Sequence, residues 1–269
     1  MIRDFGFLRL TSFLAVLGVM ALAERLWPRR ARVAPRAHRW ATNLVLMACG
    51  AALTRLILPL AAIGAALWAA DVRFGALNRV DWSWGLKMLV TVVCLDLVIY
   101  WQHRLFHRVP LLWRLHAVHH TDLDLDASSG VRFHPLEILL SMIVKMAAVA
   151  LMGAPVLAVV IFEVMLNATS IFNHANLAVP VSVDAILRLL FVTPDMHRVH
   201  HTTHHDEQNT NFGFNMPWWD RLFGTYRAQP REGHVAVALG LREDRDPSAL
   251  GAIALLVRPM RRQAAPQPS

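Results

Sequence analysis

Long stretches almost free of charge decide what this chain can fold into, because about 20 mostly apolar residues in a row are enough for a helix to cross a bilayer. Residues 5–27 supply one, with Arg9 and Glu24 near its ends. No small-residue cleavage site follows it, so it reads as a retained span and not a secretory leader. Residues 40–70 supply a second, long enough to cross with tilt or to break near Pro59, and Arg55 within it must snorkel or face the protein interior. Residues 84–101 form a third, and residues 136–173 give two more, turning at Gly153 and Pro155. At 269 residues, 55% hydrophobic and 17% charged, with a mean hydropathy of +0.39, the chain is too apolar for a soluble domain of this length. The expected fold is all-α, a polytopic membrane helical bundle of about four to five spans.

Arginines set the expected sidedness, since short loops rich in Lys and Arg stay cytoplasmic. Arg25, Arg29, Arg30, Arg32, Arg36 and Arg39 place the end of the first span and the start of the second inside. Counting onward, residues 71–83 lie outside, and the third span returns to the cytoplasm at His103. The hairpin leaves and comes back, so residues 102–135 and everything from 174 onward share the cytoplasmic face. The net charge of +8 and pI near 10.8 reflect arginines beside anionic headgroups. No aromatic-interleaved basic motif supports nucleic acid binding. The Arg- and Ala-rich composition, without a lysine-based C-terminal retrieval signal, points to a bacterial cytoplasmic membrane.

On that face the chain places three histidine clusters: His103 and His107, then His116, His119 and His120, then His197, His200 and His201. Spacings of three and four residues stack imidazoles on one side of a helix. A structural zinc takes about four ligands and a catalytic zinc about three, so two metal ions fit the count better than one. Imidazole alone leaves the metal undecided. A zinc protease of HExxH type is excluded, because Arg104 stands where that motif has its glutamate. No Asp or Glu falls inside either HxxHH cluster, where a hydrolytic centre would need a base. Two other classes stay open: a membrane zinc metallohydrolase and a histidine-rich metal transporter. Transport sites lie near the bilayer midplane on broken spans, whereas these clusters follow the span ends. Cys49 and Cys94 both fall in spans and read as small hydrophobes.

The motifs, taken in order, resemble those of the fatty acid hydroxylase superfamily, which includes sterol desaturases and sterol methyl oxidases. The resemblance covers roughly residues 90–227. It rests on D-x-x-x-Y-W-x-H-R-x-x-H from Asp96 to His107, P-x-L-W-x-x-H-x-x-H-H from Pro110 to His120, and H-P-x-E at His134. It continues with H-x-N at His174 and Asn176, H-x-x-H-H from His197 to His201, N-F-G from Asn211 and W-D-R-L-F-G-T-Y from Trp219.

The resemblance implies a non-haem di-iron enzyme in a histidine-rich helical cap, spending dioxygen and two electrons to hydroxylate or desaturate a lipid C–H bond. The lipid would be a sterol, hopanoid, carotenoid or fatty acyl chain. By motif matching the metal ligands would be His103, His107, His116, His119, His120, His197, His200 and His201, joined by His174 and His134. Behind them, Asp96, an intramembrane carboxylate, either accepts a ligand imidazole's distal N–H or serves as a capped or arginine-paired structural group. Asp195 precedes His197 closely enough for a similar role, His204 is either structural or bonded to a ligand, and Asn209 and Asn211 fix their loop by side-chain bonds to backbone. His38 and His234 read as structural, as does the terminal W-D-R-L-F-G-T-Y run.

Electrons must come from NAD(P)H through a separate carrier, a ferredoxin or a cytochrome b5 with its reductase, because the chain has no G-x-G-x-x-G motif and no cysteines for an iron–sulfur cluster. The expected division is an N-terminal transmembrane region at 1–83, a catalytic region at 84–227 and a cytoplasmic tail at 228–269. The last residues, RRQAAPQPS, read as disordered. Oligomeric state is left open.

Overall fold

A computed structural model describes residues 2–261, with side chains from residue 5; the tail read as disordered lies outside the described residues beyond Arg261. Among the described residues there is no β-strand, only two isolated bridges. The fold is an all-α membrane bundle under a helical cap, as expected. Five stretches are long and apolar enough to cross a membrane: Phe5–Leu26, Arg36–Asn78, Trp84–Arg108, Pro135–Met152 and Val156–His174.

The chain begins with α1 (Ile2–Leu26), and the second stretch divides into α2 (Arg36–Ile57) and α3 (Ala61–Asp71). The break at Leu58–Leu60 falls beside Pro59, whose missing N–H and fixed φ end a helix, and Arg55 donates from Nη1 to the Pro59 carbonyl at 2.8 Å. Ser83 caps α4 (Trp84–Arg108) by accepting from Leu86 N. Val109 then turns extended and Pro110 opens α5 (Pro110–His120), so the chain folds back on α4.

The hairpin pair is α6 (Pro135–Met152) and α7 (Val156–His174). Gly153, at φ 66°, ends α6 in the left-handed conformation that glycine adopts without strain. A side chain there would sit 2.7 Å from Asn78 Nδ2 and from the Phe74 carbonyl, so the glycine also lets the α3–α4 connection close against the hairpin. In the bundle α1 lies along α7, α2 and α3 lie along α6, and α4 packs on both hairpin helices. The chain continues through α8 (Val181–Leu187), α9 (Pro194–His200), α10 (His205–Gln208) and α11 (Trp218–Leu222), and α9 packs against α7. Cys49 and Cys94 are free thiols.

A strap at residues 121–132 ties the cap to α2. Arg39 donates to both Asp122 oxygens, at 2.5 and 2.9 Å, and to Asp126 at 2.6 Å. Burial alone would raise the Asp122 carboxyl, but the Arg39 and Arg132 guanidiniums outweigh it and hold the group below the usual carboxylate range. All these groups are buried, so removing the cation strands two desolvated carboxylates. Arg39→Met is expected to destabilise the folded protein by about 3–5 kcal/mol, read as a lowered thermal unfolding midpoint. A midpoint unchanged from the parent protein would show that the strap carries no such weight.

Candidate metal centre

Nine histidines meet at the end of the bundle, in two groups whose ligand nitrogens lie within 4.8 Å of one another. The first comprises His103, His107, His116, His120 and His200; the second comprises His119, His174, His197 and His201. Each group draws on several elements. His103 and His107 end α4, the next three come from α5, His174 ends α7, and α9 supplies His197 and His200 just ahead of His201. Because His119 and His120 are adjacent in sequence yet feed different groups, α5 couples the two. The rings of His120 and His201 stack at 4.5 Å across the divide.

Proton positions decide what the groups can hold. His103 Nδ1 donates to the Phe212 carbonyl at 2.8 Å, His119 Nδ1 to Arg132 O at 3.1 Å, His174 Nδ1 to Ser170 O at 2.7 Å and His200 Nδ1 to Thr210 O at 2.8 Å. His116 Nδ1 meets Glu137 Oε1 at 2.7 Å. A carbonyl can only accept, so His103, His119, His174 and His200, when neutral, carry their proton at Nδ1 and point a lone pair from Nε2; His116 does the same when Glu137 is ionised and accepts. Yet His103 Nε2 lies 3.1 Å from His116 Nε2, and His119 Nε2 lies 3.0 Å from His174 Nε2. In the His119–His174 pair, and in the His103–His116 pair when Glu137 accepts the Nδ1 proton of His116, two lone pairs face each other with no proton left to share. Only a cation between them relieves that repulsion. Metal–imidazole bonds of about 2.0–2.1 Å bring neighbouring nitrogens to about 3 Å, as here. The Nε2 atoms of His107 and His200 are also buried without a hydrogen-bond partner.

Burial keeps these rings neutral. It pushes His116 down to about 3, and burial together with neighbouring imidazoles holds His119, His120, His197, His200 and His201 well below the usual histidine value. Neutral imidazole is the form that ligates a metal. Between about pH 6.5 and the depressed folded values, the unfolded chain binds protons that the folded chain refuses, so stability falls as pH falls. Asp220 works in the opposite direction: burial raises its carboxyl to about 6, and its contribution is lost as pH rises toward that value. Burial raises Asp124 in the same way, and six imidazoles outweigh these two carboxyls. Chelator-stripped protein is therefore expected to unfold at a lower temperature near pH 5 than near pH 7, and a flat or reversed trend would contradict this.

The other sequence candidates fall in different places. His134, matched as a tenth ligand, joins neither group: its Nδ1 caps α6 by accepting from Leu136 N at 3.2 Å, and its Nε2 faces the Leu256 carbonyl at 3.1 Å. The reason is local, since Pro135 takes the first helical position and leaves His134 as the cap. Asp96 reaches no imidazole. It accepts from Asn215 Nδ2 at 2.7 Å, Trp219 Nε1 at 2.8 Å and Met216 N at 3.3 Å, and so anchors the 215–219 loop. Asp195 pairs with Arg29, Arg198 and His234 instead of His197. His204 meets Glu232 at 2.8 Å and Arg242 at 3.4 Å.

Asn211 does fix its loop, at φ 52°, by donating to the Met196 and Arg227 carbonyls at 2.8 Å each. That loop carries the Thr210 and Phe212 carbonyls that orient His200 and His103. Asp220 secures it, accepting from Phe212 N and Gly213 N at 2.8 Å each. A side chain at residue 213 would meet the Asp220 carboxylate at 2.7 Å, which accounts for the glycine of N-F-G. Sequence reasoning missed Glu137, although the H-P-x-E tetrad contains it. It also missed the strap carboxylates Asp122 and Asp126, signalled only by alternation with leucine.

A cavity of about 580 Å³ opens beside the first group. His103, His116, Phe106, Phe133 and Glu137 line one end, and apolar side chains of α1, α2, α4, α6 and α7 form much of its walls.

Comparison with known proteins agrees with this centre. The fatty acid hydroxylase family model matches residues 88–225. An ornithine lipid hydroxylase of Rhizobium tropici is 30% identical over 159 residues, covering 59% of this chain and 47% of that protein. Human alkylglycerol monooxygenase is 29% identical over 153 residues, 55% of this chain and 31% of the relative. A Delta(7)-sterol-C5(6)-desaturase of Nicotiana tabacum is 29% identical over 159 residues, 57% of this chain and 55% of the relative. The matched part thus spans about half or less of these relatives' length. No solved structure matches the chain. With the family model covering half of its residues, and the motif histidines gathered at one end of a membrane bundle, the chain belongs to the fatty acid hydroxylase family.

Proposed function

We propose that this protein is a membrane di-iron oxygenase that hydroxylates or desaturates a C–H bond of a lipid. The observation that carries the reading is the pair of lone-pair contacts, one in each histidine group, which call for two cations. His103, His107, His116, His120 and His200 would hold one iron, and His119, His174, His197 and His201 the other. When bound, the metal pair supplies dioxygen activation with two electrons from outside the chain.

The chain's own residues supply orientation, dryness and access. Carbonyls of Ser170, Arg132, Thr210 and Phe212, with the Glu137 carboxylate, fix the tautomer and aim of five rings. Apolar cavity walls keep water from the reacting carbon, and their shape selects which carbon approaches His103 and His116. Glu137 meets His116 at Nδ1, on the far side of the ring from the clustered Nε2 atoms. It is therefore an orienting group and not a base aimed at a metal-bound water, which weighs against a zinc hydrolase.

The relatives named above are an ornithine lipid hydroxylase, an alkylglycerol monooxygenase and a sterol desaturase, so a lipid is the substrate class they favour. The ligands belong to the 84–227 region, and residues 1–83 supply part of the cavity wall; of the segment from 228 onward, Val237, Leu239 and Leu255 pack into the core. The arginines between residues 25 and 39 orient the cap toward the cytoplasm of a bacterial inner membrane, where a basic face suits an acidic ferredoxin or cytochrome b5 reduced from NAD(P)H. Mass spectrometry of lipids from cells with and without the protein, grown under isotopically heavy dioxygen, tests the reading. A lipid gaining one heavy oxygen, or losing two hydrogens, is expected; unchanged lipids in cells that hold folded, metal-loaded protein would overturn it.

A further inference from the structure

The cavity has a second, charged end that the oxidation chemistry does not use. Arg9 of α1, Arg55 of α2, Lys145 of α6 and Glu163 of α7 all line it. Lys145 Nζ donates to Glu163 Oε1 at 2.9 Å, and Arg9 Nη1 lies 3.2 Å from Glu163 Oε2. Lys145 and Glu163 are both buried within apolar helices. An ion pair in such a place gains little over well-packed hydrophobic residues, and an intramembrane charge calls for a functional explanation.

The cluster is also unbalanced. Lys145 and Arg9 engage both oxygens of the one carboxylate, and Arg55, bonded to the Pro59 carbonyl, adds a third cation to the lining. Arg9 Nε and Thr54 Oγ1, lining the same cavity, are buried donors without a partner. Unpaired donors beside excess positive charge suit an anionic acceptor. Along α6, eight residues separate Glu137 from Lys145, about 12 Å, and along α7, eleven separate Glu163 from His174, about 16 Å.

We propose that Arg9, Arg55, Lys145 and Thr54 form a subsite for an anionic group of the lipid, a carboxylate or a phosphate, with Glu163 holding Arg9 and Lys145 in place. The inference rests on the cavity being the lipid site of the proposed oxygenase. It makes the subsite a ruler: the anion docks at the charged end, and the carbon presented to His103 and His116 lies well along the chain from it. The aliphatic stems of the lysine and arginine side chains flank the apolar walls, so the tail stays in a dry channel while its head is paired.

The test is equilibrium binding to the full chain, which requires no turnover. Palmitate, hexadecyl phosphate and methyl palmitate share a tail and differ in the head. The parent protein is expected to bind one or both anions more tightly than the ester, and the tighter anion identifies the head. Arg9→Gln combined with Arg55→Gln, at a half-buried and an exposed position, is expected to weaken anion binding about tenfold or more while ester binding stays within about twofold. Should that variant fail to fold, the near-isosteric Thr54→Val is expected to weaken anion binding alone by about fivefold. Equal binding of all three probes by the parent, or parallel loss of anion and ester binding in a variant that keeps its metal, overturns the subsite. Protein that lacks iron yet discriminates the anions sinks the oxygenase reading and leaves the subsite standing.

Discussion

His119→Ala is expected to strip metal from the second histidine group and to lower lipid oxidation by more than about a hundredfold. His119 is central for a geometric reason: its Nε2 faces His174 Nε2 at 3.0 Å, and its ring packs at 4.7 Å from that of His201. Losing it removes one of four nitrogens from a closed set and leaves the lone pair of His174 without a counterpart. Loss of a ligand outweighs loss of a group behind a ligand, which typically costs about 10–100-fold in metal affinity or activity. His134→Asn provides the matched control. Asparagine keeps a side-chain acceptor for the α6 cap, and His134 lies outside both groups, so metal content should match the parent protein. Elemental analysis of both variants checks the contrast. Equal metal in His119→Ala and the parent would remove His119 from the ligand set, whereas metal loss in His134→Asn would bring His134 into it.

Glu137→Gln carries the second large effect. The carboxylate accepts a hydrogen bond from His116 Nδ1–H in a buried contact of 2.7 Å and so fixes the ring whose Nε2 faces His103. An amide can present its NH2 toward Nδ1, which favours the tautomer with the proton at Nε2 and spoils the lone pair there. Metal affinity of the first group is expected to fall by about 10–100-fold, with the second group retained. Competition with a chelator, followed by elemental analysis, reads this as loss of part of the metal at chelator levels the parent tolerates. Simultaneous loss of all metal would mean that Glu137 supports the whole cap and not one ring.

The spans and the histidine clusters were legible in the sequence because both depend on local patterns. Apolar length marks a crossing, and spacings of three or four residues mark a shared helical face. Pro59 likewise pointed to the break between α2 and α3. What stayed hidden depends on partners far along the chain. For Asp96 the sequence left two roles open, support of an imidazole or a capped structural group, because its donors come from residues 215–219. Glu137 and His116 are 21 residues apart, and only the turn of α5 into α6 brings them together. Arg39 and Asp122, 83 residues apart, meet because α2 runs alongside the strap. His134 runs the other way: the H-P-x-E match brings it into the ligand list, while the proline after it makes it the cap of α6, outside both groups. The charged end of the cavity escaped for a similar reason, since Arg9, Arg55, Lys145 and Glu163 sit singly in four different helices.

The most direct test of two cations in the histidine cap is elemental analysis of full-length protein purified without oxygen, joined to oxygen uptake when lipid and a reduced carrier are supplied. The account predicts about two iron ions per chain and uptake coupled to lipid oxidation. Zinc as the sole bound metal, with no oxygen consumed on lipid addition, would contradict it.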